Sequence, residues 1–378
     1  MPSERTSRVE LALRDYARNL CDLGLSAGLA RVGIAPARPF ERARHAIEDR
    51  NARGLSDTMQ FTFRNPKRST TPSMLVPGAR SIVVGAVAYY EEAPPRPFEP
   101  VADVARYAWR DSYGRLRHAL GVVADELKSV GHRATVVADE NSLVDREAAY
   151  LAGLGWFGKN ANLLLPGSGS WFVLGGVITD AVLPVGQPVD DGCGACRRCI
   201  DACPTGAIIE PGVVDARRCL AWVMQKPGIV DREMRVSIGS RIYGCDDCQE
   251  ACPPSIRSAR RRSEHIDDEI APDAHIDPVD ILEMSDAQIL DRCGRWYIHD
   301  REPRWVRRNA LIVLGNIGDA SNPGVRRVIQ AALESSDAMV RAHAVWAAAR
   351  VGCVDLLPVD DPDDDVRREL HSLPPPRG

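Results

Sequence analysis

The chain has 378 residues, 44% hydrophobic and 26% charged, as expected of a soluble globular protein with two or three domains. Its formal charge of −4 gives no global basic field for nucleic acid. No run of eighteen apolar residues occurs and the opening MPSERTSRVE lacks the apolar core of a leader, so a cytoplasmic monomer without a membrane span is expected.

Taken in order, Arg8–Leu23 has the spacing of an amphipathic helix and Ala30–Ile34 is a short apolar run. Pro39–Asn51 reads as a helix and Ser81–Tyr89 as a buried strand. The Pro-rich Glu91–Pro100 is an exposed loop. Tyr113–Val130 has helical spacing and stops at Gly131, Ala134–Ala138 is strand-like, and Ser142–Ala152 is helical with Ser142 as its N-cap. Trp171–Ile178 is another buried strand. These elements predict an α/β domain with a mixed sheet over 1–184, a cysteine-rich module over 185–257 and a loose connection through Arg257–Asp280.

The last part, 276–373, carries a weak repeat. Trp305–Asp319 aligns with Met339–Gly352 at an offset of 34 residues, and Asp365–Leu373 is a shortened third copy. Valine-arginine leading an alanine-rich helix at this period predicts stacked helical pairs of the HEAT type.

Eight of the eleven cysteines lie within Cys193–Cys252, and a reducing compartment makes metal a better reading than disulfides. Cys21, Cys293 and Cys353 stand apart and read as core thiols. The first block is Cys193-x2-Cys196-x2-Cys199-x3-Cys203-Pro204, and the second is Cys245-x2-Cys248-x3-Cys252-Pro253. In two-cluster ferredoxins three closely spaced thiolates hold one [4Fe–4S] cube and the cysteine before proline crosses to the other. Cys193, Cys196, Cys199 and Cys252 then hold one cluster. Cys203, Cys245 and Cys248 hold the second, with Cys219 supplying the fourth thiolate. A zinc ribbon needs two pairs only and leaves the remaining cysteines unexplained. Such a module conducts electrons, which implies something to reduce.

The stretch Ala138–Asp180, rich in Gly, Asn and Trp, is the place to look. Gly153-x-Gly155-x-x-Gly158 follows a helix-like segment where a dinucleotide fingerprint follows a strand, and Gly158-Lys159 is followed by Asn160 where a P-loop needs Ser or Thr. Neither motif is taken as real. Gly153–Asn162 (GLGWFGKNAN), Gly169–Trp171, Thr179-Asp180, the cysteine spacings and Arg241–Cys252 (RIYGCDDCQEAC) resemble the epoxyqueuosine reductase family. So do Val32–Ala35, Arg64-Asn65-Pro66, Leu75–Ala79, Arg106–Trp109 and Arg307–Asn316.

That resemblance implies an α/β cobalamin-binding domain, a two-[4Fe–4S] ferredoxin-like module and a C-terminal HEAT-like repeat. It implies an oxidoreductase that converts epoxyqueuosine to queuosine in tRNA, fed by a donor such as ferredoxin or flavodoxin. The family's general acid maps onto Asp139, and a carboxyl serves near neutral pH only if burial raises its pKa. Candidate cobalamin contacts are Met59, Trp156, Gly158, Lys159, Asn160, Asn162, Ser170 and Asp246. Asp273-Ala-His275-Ile-Asp-Pro278 lacks the glycine of a cobalt-ligating histidine motif, so no protein ligand to cobalt is expected. Arg304, Arg307, Arg308 and Asn309 are candidates for phosphates of the anticodon stem-loop. Two other functions fit the same residues: a cobalamin reductase of a small organic molecule, and a two-cluster electron carrier without cobalamin.

Overall fold

The computed structural model describes residues 4–262 and 273–373. The chain folds as two compact units. The first comprises 1–92, 110–216 and 247–267, and the second 93–109, 217–246 and 268–378. The boundaries expected at 184 and 257 therefore coincide with neither unit. Residues 217–246 of the cysteine region and the segment 93–109 belong to the second unit.

The first unit is built on a sheet of β1 (Arg31–Pro36), β2 (Ser81–Ala88), β3 (Ala134–Ala138) and β4 (Phe172–Thr179), in the order β1-β2-β4-β3. Every neighbouring pair is antiparallel, so the mixed sheet expected from sequence is corrected. After Ser81 the run in β2 is apolar because both faces are covered. Ile82, Val84 and Ala86 join a core with Phe40, Leu143, Ala148 and Leu174. On the other face Gly85 pairs with Gly175 across β2 and β4. A Cβ on either glycine would meet Leu120 of the helix Ser112–Ser129 at 3.0–3.1 Å, so the paired glycines form the notch in which that leucine sits. Truncating Leu120, which is fully buried, costs about 2–5 kcal/mol.

The predicted helix after β3 is shorter than expected, running Asp145–Leu151 with Val144 at the N-cap position and no side-chain cap. Ser142 is buried instead and donates towards Glu140 at 3.5 Å, so its expected capping role is corrected. The helix is fastened from the side. Arg42 forms a bidentate pair with the buried Glu147 and lies over the rings of Tyr150 and Phe157 at 4.3 and 4.5 Å.

In the second unit, the strand Ala102–Val104 is central to a three-stranded sheet, parallel to Arg241–Tyr243 and antiparallel to His275–Ile276. The loose connection expected over Arg257–Asp280 is ordered at both ends, by the helix Pro253–Arg262 and by His275–Ile276 with Pro278–Glu283. Its middle, 263–272, lies outside the described residues. The repeat is helical as its period predicts, with helices Arg304–Ile317, Pro323–Leu333, Ala338–Val351 and Asp364–His371. The equivalent valines Val306, Val340 and Val366 are all buried. Among the described residues no helix is long and apolar enough to cross a membrane.

Candidate iron–sulfur and acid site

The four cysteines assigned to the first cluster all lie in the first unit. Burial pushes the Cys199 thiol up, and the nearby Cys252 and Cys193 push it further, with a smaller push from Cys196. Burial likewise raises Cys252, opposed by hydrogen bonds with Ser255. Cys199 and Cys252 each sense Cys193 and Cys196, so the four thiols share one electrostatic neighbourhood of the kind that binds iron as thiolates. Among the described residues no three His, Cys, Asp or Glu side chains close on a single-ion volume. A cubane interposes its own iron and sulfide between the thiolates and needs them further apart than a lone ion does. Cys196 is exposed and Cys252 buried, so the pocket has an outer and an inner edge.

The other four cysteines divide between the units, Cys203 and Cys248 in the first and Cys219 and Cys245 in the second. Around Cys203 the backbone curls so that the Ala207 N–H donates to Sγ at 3.2 Å.

The Gly-rich segment before the module serves mainly to hold it. Lys159 Nζ donates to the Gly194 carbonyl at 2.7 Å, inside the first cysteine loop. Asn160 Nδ2 donates to the Cys248 carbonyl at 3.3 Å, while its Oδ1 accepts from the Asn162 N–H at 3.2 Å. Ser170 donates to Gln249 Oε1 at 3.0 Å, and its N–H donates to Ser255 Oγ at 3.2 Å. Gly169 has φ +69°, and a Cβ there would lie 2.4 Å from the Ser255 Cα, so only glycine permits this approach.

Several candidate cobalamin contacts already have partners within the fold. Asn160 and Ser170 are buried and spend their polar atoms on the cysteine segments. Asp246 is buried in the second unit, where it accepts from the Arg106 N–H at 2.8 Å. Trp156 differs: its indole N–H is buried without a partner among the described residues, a donor left for an acceptor that arrives with a ligand. Such a donor suits the amide carbonyls that fringe a corrin. Met59 and Gly158 lie in the same unit.

Asp139 follows the last residue of β3 and adopts φ +59°, the left-handed region that Asp tolerates better than most residues. Its side chain is accessible to solvent, yet the protein around it desolvates the carboxylate enough to raise its pKa, against the pull of Arg117. A second carboxyl, Asp145, was not singled out from the sequence. Burial raises its pKa, and the charge of Asp139 raises it further. Nothing in the spacing marks it, since an acid in the first turn of a helix is ordinary.

The RNA candidates in the repeat are placed as follows. Arg308 is fully buried and donates to the carbonyls of Met224, Lys226 and Gly228 at 2.7–2.9 Å. Burial lowers its pKa to about 9, with Arg235 adding to the effect. Asn309 is buried too, donating to Met224 and Ile242. Both are structural staples, and their expected phosphate role is corrected. Arg304 pairs with Asp337 at 2.9 Å, and Arg307 with Asp286 at 2.5 Å.

Neighbouring thiols and a desolvated acid in one unit are the features an iron–sulfur oxidoreductase requires. Residues 192–255 match the 4Fe-4S double cluster binding domain, and 295–373 match HEAT repeats. The epoxyqueuosine reductase of Xanthomonas campestris pv. campestris is 34% identical over 360 residues, covering 89% of this chain and 97% of that protein. That of Bacillus cereus is 30% identical over 364 residues, covering 91% and 93%. An epoxyqueuosine reductase solved with an epoxyqueuosine-modified tRNA-Tyr stem loop superposes with TM-score 0.85 at 28% identity, covering 95% of this chain and 98% of that one. A Bacillus subtilis epoxyqueuosine reductase, solved with an aspartate-bearing catalytic loop swung out of its active site, gives the same score, identity and coverage. This chain belongs to the epoxyqueuosine reductase family.

Proposed function

We propose that this chain reduces epoxyqueuosine to queuosine in tRNA, using two [4Fe–4S] clusters and cobalamin. One observation carries the reading: a carboxyl with raised pKa, Asp139, shares a compact unit with the four-thiol pocket. The reaction takes two electrons and two protons, opens the epoxide carbon–oxygen bonds, leaves an alkene and releases the oxygen as water. Asp139 gives a proton to the departing oxygen, and the neighbouring carboxyl of Asp145 is placed to hold a second one. Cobalamin, when bound, supplies a strongly reducing cobalt centre. Trp156 contributes the N–H left unpaired in the fold, with Met59, Gly158 and Lys159 as further contacts. Cys193, Cys196, Cys199 and Cys252 hold one cluster, and the chain spacing assigns Cys203, Cys219, Cys245 and Cys248 to the other. The electron donor is a ferredoxin or flavodoxin. Arg304 and Arg307 reach RNA phosphates only by exchanging Asp337 and Asp286 for them.

Mass spectrometry of tRNA nucleosides from a strain lacking the protein tests this. Epoxyqueuosine is expected to accumulate, and to convert to queuosine when the gene is restored. Unchanged queuosine in the deletion strain overturns the reading.

A further inference from the structure

We infer that Arg64, Lys67 and Arg68 form a phosphate-binding turn for the RNA strand that presents its modified base to Asp139, an inference that rests on the tRNA substrate proposed above. These three cations fall within five positions and are exposed. None makes an ion pair among the described residues; Arg64 contacts only the neutral Gln60, at 3.3 Å. The repeat differs here, because Arg304, Arg307, Arg326 and Arg341 are each bound to a carboxylate of their own. Cations already neutralised release no counterions from RNA, whereas free ones do.

The turn is rigid and fixed to the acid's loop. Asn65 Oδ1 caps it by accepting from the Arg68 N–H at 3.1 Å, and Pro66 sets the first turn. Thr70 Oγ1 donates to the Pro66 carbonyl at 2.7 Å and accepts from Arg44 Nε at 3.0 Å. Ser69, 1% exposed, donates its hydroxyl to the Asn141 carbonyl at 2.7 Å, and its own carbonyl accepts from the Val144 N–H at 3.0 Å. Asn141 and Val144 lie in the loop that begins with Asp139. A positive turn joined in this way to the acid's loop holds a phosphate backbone at a fixed offset from the reacting base. Phosphate contacts of this kind set register and carry no sequence preference.

The test is binding of the reconstituted holoenzyme to an epoxyqueuosine-modified anticodon stem-loop across a salt series. The R64Q/K67Q/R68Q variant is expected to lose about tenfold or more in affinity at low salt. Its slope of log affinity against log salt should be shallower than wild type by about 2, from three phosphate contacts at roughly 0.7 each. The charge-preserving R64K/R68K variant should keep the wild-type slope, and R14Q/R18Q on the N-terminal helix should do the same. An unchanged slope in the triple variant, or an equal loss in R64K/R68K, overturns the inference and leaves the tRNA reading standing. A wild-type holoenzyme that does not bind the stem-loop at all overturns both.

Discussion

The side-chain amide of Asn160 donates to the main-chain carbonyl of Cys248 at 3.3 Å, tying the Gly-rich segment to the second cysteine block. Asn160→Ala removes this tie and one buried partner, a loss of about 1 kcal/mol. The expected result is faster loss of iron during anaerobic gel filtration, with the far-ultraviolet circular dichroism unchanged. Iron retention equal to wild type would show that the tie is unimportant to the module.

Asp139 acts as a proton donor only while protonated. Its pKa is raised by burial, so turnover is expected to fall as pH rises through that raised value and to level off below it. Asp139→Asn should abolish turnover at every pH while iron content and corrinoid uptake persist. Wild-type activity in this variant would remove the proposed role. Asp139→Glu should retain partial activity with the same descending limb.

Arg308 has no carboxylate partner among the described residues and is stabilised by main-chain carbonyls and by the side-chain oxygen of Asn309. Arg308→Ala leaves those carbonyls unpaired in a dry core and is expected to cost about 3–5 kcal/mol, read as a lowered Tm. RNA binding by the surviving folded fraction should keep its salt slope, because Arg308 faces no solvent. A variant with wild-type Tm and a reduced slope would restore the phosphate role.

Glu147 is buried and held by Arg42. Burial raises its pKa and Arg42 opposes the rise. Removing Arg42 leaves only the raising influence. A carboxyl with a folded pKa above its unfolded value costs stability at high pH, and the cost shrinks as pH falls through the folded pKa. Arg42→Ala should therefore be most destabilised above neutrality and approach wild type in mild acid. A deficit independent of pH would mean that the stacking of Arg42 on Tyr150 and Phe157 matters more than its charge.

An anaerobically reconstituted chain should contain roughly eight irons, and Cys199→Ala about half that number. Four or fewer irons in the wild type would refute two clusters.

Local pattern was legible where one physical signal dominated. The apolar run of β2 and the repeat valines each point to one arrangement, and the described helices and strands follow them closely. Antiparallel pairing was not legible, because a strand covered on both faces is apolar in either direction. The burial of Arg308 and Asn309 was also hidden. An Arg-Asn pair at the start of a helix reads as solvated unless one knows that the carbonyls of 224–228 lie against it. Arg308 and Asn309 are withdrawn as phosphate contacts for that reason, whereas Arg304 and Arg307 stand on carboxylates instead.

The path of the chain through its two units fixes an order of events during synthesis. All four strands of the main sheet leave the ribosome by Thr179, and three of the cysteines proposed for the first cluster by Cys199, but Cys252 emerges only after a stretch that belongs to the other unit. A cluster held by these four cysteines would therefore close only after part of the other unit has been made, and no single cut separates the two units along the chain.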